Sequence, residues 1–181
     1  MVRTLTGAVR KGDLDLVKQF VENGYNINER VSKAHFPLGS AVHNNYLDIA
    51  KYLIRKGARL NCRTENNWTP IFIASHRGYL PMVKLLARKG AMLNTKSRYG
   101  SAGWSVVYSP NKNTPLHEAV LNGNHGIVLE LLRAGANYRI KNGNGLTPMD
   151  MAVRNKKWKI AALLAYYGAP IKRKYFEKGD L

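Results

Sequence analysis

The chain has 181 residues, 45% of them apolar, enough for one domain with a sizeable core and too few for two full-sized ones. Twenty-nine Lys and Arg against eleven Asp and Glu leave a formal charge of +18, which points to an acidic or polyanionic partner rather than to any particular fold. No run approaches the roughly 18 apolar residues of a membrane span, and the single cysteine, Cys62, excludes an internal disulfide framework and suits a reducing compartment.

From the N-terminus, Met1–Gly12 carries Arg3, Arg10 and Lys11 without an acid, which superficially suits a mitochondrial transit peptide. A repeat absorbs most of these residues. Five glycines each close an apolar helical run: Gly24, Gly57, Gly90, Gly135 and Gly168, at intervals of 33, 33, 45 and 33 residues. The text around them recurs as KQFVENGYNIN, KYLIRKGARLN, KLLARKGAMLN, LELLRAGANYR and ALLAYYGAPIK. About twenty residues earlier stands a second theme, LTGAVRKG, FPLGSAVHNN, TPIFIASHRG, TPLHEAVLNG and TPMDMAVRNK.

The residues explain the pattern. Thr69-Pro70, Thr114-Pro115 and Thr147-Pro148 open helices, because threonine caps free N–H groups and proline at the first helical position forfeits nothing. Ala8, Ala41, Ala74, Ala119 and Ala152 keep the first helix of each unit close to its neighbours. The second helices carry stripes such as Leu47/Ala50/Leu53 and Leu80/Val83/Leu86. No unit buries its stripe alone, so stacking supplies the core. Asn45 and Lys156 stand where the other units place a turn glycine, and the first unit lacks the Thr-Pro opening.

These lines resemble the ankyrin repeat, and Thr114-Pro115-Leu116-His117 with Ala119, Gly123 and Leu131-Leu132 is nearly its signature. The resemblance covers almost the whole chain. It implies an all-α solenoid of five helix-turn-helix units with β-hairpin-like loops, in a single domain over 1–181. The units are placed near 1–30, 31–63, 64–96, 109–141 and 142–174, with an insertion at 97–112 and a basic tail at 171–181.

Catalytic chemistry is not visible. The acids are scattered and no glycine-rich phosphate loop occurs. His43 and His76 occupy equivalent positions, but stacked helices lie ~8–10 Å apart, too far for two imidazoles alone to grip a zinc ion at ~2.1 Å. His117 belongs to the signature, where the resemblance implies structural hydrogen bonding. Arg59 and Arg63 near Cys62 would lower a thiol pKa, yet no base accompanies it, and it reads as an inert surface thiol. Asn28, Asn61 and Asn94 align at the close of three hairpins, where the resemblance implies a structural role before asparaginyl hydroxylation. No enzyme, cofactor, metal or small-molecule ligand is expected.

Charge falls in columns. Six residues past the closing glycines stand Arg30, Arg63, Lys96, Lys141 and Lys174. The acids that ankyrin repeats often carry two and seven residues past that glycine are missing. A second column precedes the turn glycines and contains Arg10, Lys11, His43, His76, Arg77 and Arg154, on helices that line the concave groove in the resembling family. Arg55/Lys56, Arg88/Lys89 and Arg133 lie at the ends of the second helices, so basicity is expected on more than one face. The insertion, SRYGSAGWSVVYSPNK, contributes Arg98, Tyr99, Trp104 and Tyr108, read as a finger presenting aromatics to a partner.

These features imply a non-catalytic scaffold or adaptor that grips an acidic protein through groove, hairpin tips and finger. The alternative is a basic RNA-associated subunit of a ribonucleoprotein, such as an organellar ribosome, held by phosphate contacts. The expected setting is intracellular and chiefly cytoplasmic, with mitochondrial and nuclear settings as alternatives.

Overall fold

A computed structural model describes residues 4–30, 36–98 and 112–172. Ten helices follow in pairs: α1 (Leu5–Lys11) and α2 (Leu14–Glu22), α3 (Pro37–His43) and α4 (Leu47–Arg55), α5 (Pro70–Arg77) and α6 (Leu80–Arg88), α7 (Pro115–Leu121) and α8 (His125–Arg133), α9 (Pro148–Arg154) and α10 (Trp158–Tyr166). Each first helix packs on the first helix of the next pair, and each second helix on the next second helix, so the stack has two layers.

Local chemistry sets the helix starts. The side chains of Thr69, Thr114 and Thr147 accept from the backbone N–H three residues on, with proline at the next position. Thr4 does the same for α1, so the first unit keeps a cap although it lacks the Thr-Pro pair. At α3 only the proline remains, because Phe36 offers no acceptor. The turns between paired helices need a left-handed residue. Gly12, Gly78 and Gly123 supply it, and Asn45 and Lys156 adopt the same conformation at φ 58° and 53°.

The alanines at 8, 41, 74, 119 and 152 are fully buried, which is what lets the first-helix layer close up. Leu53 and Leu86 in the second layer are equally inaccessible, each contributing on the order of 2–3 kcal/mol by burial. Ile49 and Met82 share that layer's core, beside the stripe positions Leu47 and Leu80, which are only partly covered.

The hairpin-like loops contain no strand among the described residues; they are turns tied side chain to backbone. Asn28, Asn61 and Asn94 each reach the next unit, accepting from the N–H of Arg59 (2.8 Å), Met92 (2.8 Å) and Asn137 (2.9 Å). The asparagines thus have the structural role that the resemblance implied. Across the insertion the stack is unbroken: the Ser97 N–H donates to the Asn113 carbonyl at 2.9 Å and closes the excursion at its base. No helix among the described residues is long and apolar enough to cross a membrane.

Candidate partner-binding surface

The ends of the first helices form one column of the stack. Arg10, Lys11, His43, Arg77 and Arg154 stand exposed there, and the turn adds Lys156. Repeat stacking brings them together: Arg77 donates from Nη2 to the Nε2 of His43 at 3.3 Å, across the boundary of the second and third units. Asn122 donates from Nδ2 to the His76 carbonyl at 2.8 Å and holds the fourth unit against the third, in spite of the insertion.

His76 departs from the expectation of an open groove residue. Its Nδ1 lies 3.0 Å from Oε2 of Glu118, and its ring packs 5.6 Å from that of Trp68, leaving the side chain 27% exposed. Glu118 itself is fully buried. Its other oxygen accepts from Asn113 Nδ2 at 2.9 Å, and Asn142 in turn donates to Asn113 Oδ1 at 2.9 Å. Asn142 Oδ1 then accepts from the N–H groups of Asn144 and Leu146, both at 3.0 Å. A polar chain therefore runs from the groove, beneath the base of the insertion, into the last unit. Sequence reasoning missed it. The only available signal was an acid placed inside an apolar helix opening, and a partner 42 residues away gives no local pattern.

The first helices hold two acids among the described residues, Glu118 and Asp150, and both are buried and hydrogen bonded. Asp150 accepts from the Thr147 N–H at 3.0 Å and hydroxyl at 2.6 Å, while Lys172 Nζ lies 2.9 Å from each of its oxygens. Among the described residues the first helices consequently show exposed cations and no exposed carboxyl group, while Asp13 is exposed in the turn after α1. The second layer differs. Lys18 pairs with Asp15 (2.8 Å), Lys51 with Asp48 (3.0 Å), and Lys84 and Arg133 approach Glu130 (3.6 and 3.7 Å). The basicity expected on several faces is thus partly compensated in the second layer and less so on the first helices, whose own two acids are buried.

The turn tips continue the basic surface. Arg30, Arg63, Lys96 and Lys141 are exposed; Arg30 lies over the Phe36 ring, and Arg63 donates to Asn67 Oδ1 at 3.2 Å. Arg98 is exposed, with its backbone N–H bonded to the Asn66 carbonyl at 2.8 Å. Tyr99, Trp104, Tyr108 and Lys174 lie outside the described residues.

Two titratable groups belong to the frame rather than to a reactive site. His117 Nε2–H donates to the Leu146 carbonyl at 3.0 Å, which leaves Nδ1 to accept from the Thr114 hydroxyl at 2.7 Å. Burial lowers its pKa to about 4, so the ring is a neutral strut. Cys62 is partly covered, and burial pushes the thiol up to about 11, in keeping with the inert thiol expected, while the neighbouring arginines do not draw it down.

A sequence family described as ankyrin repeats (3 copies) matches residues 5–97 and again 101–175. Individual relatives match over shorter stretches. The palmitoyltransferase ZDHHC13 of Mus musculus is 47% identical over 60 residues, a third of this chain (33%) and 10% of that protein. Ankyrin repeat and SOCS box protein 16 of Homo sapiens is 41% identical over 69 residues, covering 34% of this chain and 15% of that one. The tRNA endonuclease vms1 of Schizosaccharomyces pombe is 45% identical over 53 residues, or 29% and 9%. The matched stretch spans at most 15% of the length of any of these three relatives.

Proposed function

The chain belongs to the ankyrin-repeat family, and we propose that it is a non-catalytic scaffold recognising an acidic protein surface through the ends of its first helices. Ankyrin repeats generally mediate protein–protein interaction and are typically non-enzymatic. One observation carries the finer reading: the exposed charge of the first-helix layer is entirely positive among the described residues, because its two acids are folded inward. Uncompensated charge in a stacked column attracts an oppositely charged partner over about one Debye length, ~8 Å at physiological ionic strength, and speeds its association. The tip residues Arg63, Lys96 and Lys141 widen the same surface. On sequence grounds, Arg98, Tyr99, Trp104 and Tyr108 of the insertion add to it, and Lys174 extends the tip column.

The test is recovery of copurifying material at low and at high salt, with the paired replacement Arg77→Ala/Arg154→Ala beside the second-layer control Arg55→Ala/Arg88→Ala. The proposal expects an acidic polypeptide, lost at high salt and lost with the first pair but not with the second. Nuclease-sensitive recovery, or equal loss with both pairs, overturns it.

A further inference from the structure

We infer that α10 docks an amphipathic helix of a partner protein, one with an apolar edge and carboxyl groups in its first turn. This surface is separate from the ends of the first helices. In the second layer each helix packs against the next, so each has an edge facing onward along the stack. Contacts across one boundary identify that edge. On α6, Leu80 Cδ2 lies 3.3 Å from where a Cβ on Gly126 of α8 would stand, and Lys84 Nζ lies 3.6 Å from Glu130. Arg88 follows one turn further on. The same column reads Leu47, Lys51 and Arg55 on α4, and Trp158, Ala162 and Tyr166 on α10. Among the described residues no helix follows α10.

A stack that merely ended in water would carry a polar edge there, because a terminal unit has to keep its outer face soluble. This one does the reverse. Lysine gives way to Ala162 and arginine to Tyr166, and Lys159 is the only charged residue of α10. Trp158 and Tyr166 stand 48% and 86% exposed. Ala161 and Ala165 are partly covered, whereas their counterparts on α8, Val128 and Leu132, are buried. A helix apolar on nearly every side belongs between neighbours.

Two observations say what the neighbour is. The first layer is already closed. Where His117 bonds the Leu146 carbonyl of the following unit, the last unit has Asp150, held by Lys172 of the same chain. A whole repeat therefore finds no first-layer seat, whereas a single helix continues the second layer. The other observation is charge. Lys156 stands in the turn column of Gly78 and Gly123, where an added Cβ would meet Asn124 and Lys157 of the following unit at 3.3 and 3.2 Å. Lys156 thus leaves the stack on its onward side, beside the start of α10, and it is exposed. Over residues 134–172 the sole acid is Asp150, which is buried. Successive second helices run in the same direction, so a follower brings its first turn to Lys156. Acids in that turn meet the lysine and suit the follower's own dipole, as Asp15 and Asp48 do in α2 and α4. A second copy's α10 would bring Lys159 there instead, with no acid in its first turn.

The experiment is fluorescence anisotropy on the full 181-residue chain with synthetic peptides of roughly 18 residues, long enough to form a helix. The first has leucines at helical spacing and Glu in its first turn, the second scrambles the same residues, and the third has Gln for those Glu. The inference expects the first peptide to bind about tenfold tighter than the second, and Trp158→Ala to remove that difference. Arg77→Ala leaves it in place. Lys156→Gln weakens the first peptide about two- to fivefold and spares the third. Equal binding of the first two peptides, or a difference that survives Trp158→Ala, overturns the docking face. Lys156→Gln acting alike on the first and third overturns the placed carboxyl groups. A dimer in sedimentation that Trp158→Ala dissolves assigns the face to a second copy. Binding to phosphatidylserine vesicles that Trp158→Ala abolishes, with no peptide bound, assigns it to a membrane. Either result overturns the inference. The peptide controls leave the protein untouched, so the first comparison does not depend on how well Trp158→Ala folds. The acidic-partner reading of the first helices is tested separately, on Arg77 and Arg154.

Discussion

The first-helix and second-helix layers are built from the same repeat, yet they treat carboxyl groups in opposite ways. Glu118 and Asp150 of the first layer are 0% and 6% exposed, and their oxygens are taken up by Asn113, Thr147 and Lys172. Asp15 and Asp48 of the second layer stand in water, with side chains 84% and 77% exposed, each beside a lysine one turn away. The difference lies in location, not number. Glu118 and Asp150 turn inward, where Asp150 holds Lys172, and leave Arg77 and Arg154 without an exposed acid on their own helices, whereas Asp15 and Asp48 turn outward and pair with Lys18 and Lys51. The net charge of +18 therefore understates the contrast between the two faces.

The largest effect should separate two replacements that look alike in sequence. Glu118→Ala strips the partner from Asn113 and from His76, and a buried polar group left unpaired costs about 1–3 kcal/mol. The total expected loss is about 2–4 kcal/mol of unfolding free energy, read from urea midpoints. Asp48→Ala, which removes an exposed pair, should stay within about 0.5 kcal/mol. Equal costs would mean that the polar chain beneath the groove contributes nothing to stability, and the contrast between the layers would fail.

Much of the frame was legible beforehand. The glycine intervals, the three Thr-Pro openings and the buried alanines all mapped onto the stack, because each encodes a backbone requirement met within a few residues. Thr4 was less legible, since a threonine without its proline looks like any other. The inward-turned carboxyl groups were only partly legible: Asp150 stands three residues after Thr147, within a local capping box, but Glu118 meets His76 from 42 positions away, a separation that the insertion itself enlarges. The arginine and lysine columns could be read from repeat spacing alone. Which of them stay uncompensated depends on where the acids turn, and that is settled only in three dimensions.

A second, intermediate effect concerns pH. His117 takes up its proton near 6.5 in an unfolded chain and only near about 4 in the fold. Between those values the unfolded state binds more protons. Stability is therefore fully present above about pH 6.5 and declines as pH falls towards 4, by at most about 1.4 kcal/mol per unit from this group. His117→Gln should flatten the difference between urea midpoints at pH 7 and pH 5. An unchanged difference would show that the first-layer strut titrates as it does in the unfolded chain.

The smallest effect lies in the turns that join the layers. Lys156 holds φ 53° where three other units use glycine, a conformation costing a side-chain-bearing residue about 1–2 kcal/mol, partly offset by glycine's greater entropy when unfolded. Lys156→Gly should raise stability by about 0.5–1 kcal/mol, measured by thermal melting, and Asn45→Gly by less, because asparagine visits this region more readily. Loss of stability at Lys156→Gly would show that the lysine side chain contributes more than its backbone costs.

The bond between Ser97 and Asn113 has one more consequence. It holds Ser97 and Asn113 together as a fixed gate at the two ends of the insertion's sequence. Lengthening a closed loop costs only about 0.6 kcal/mol for each doubling, so sequences of different length can be closed by the same pair. Because Asn113 also belongs to the buried chain through Glu118 and Asn142, the gate is anchored to the interior rather than to the surface. Such a site can take on foreign text, a tag or a grafted epitope, while the ten helices keep their alignment.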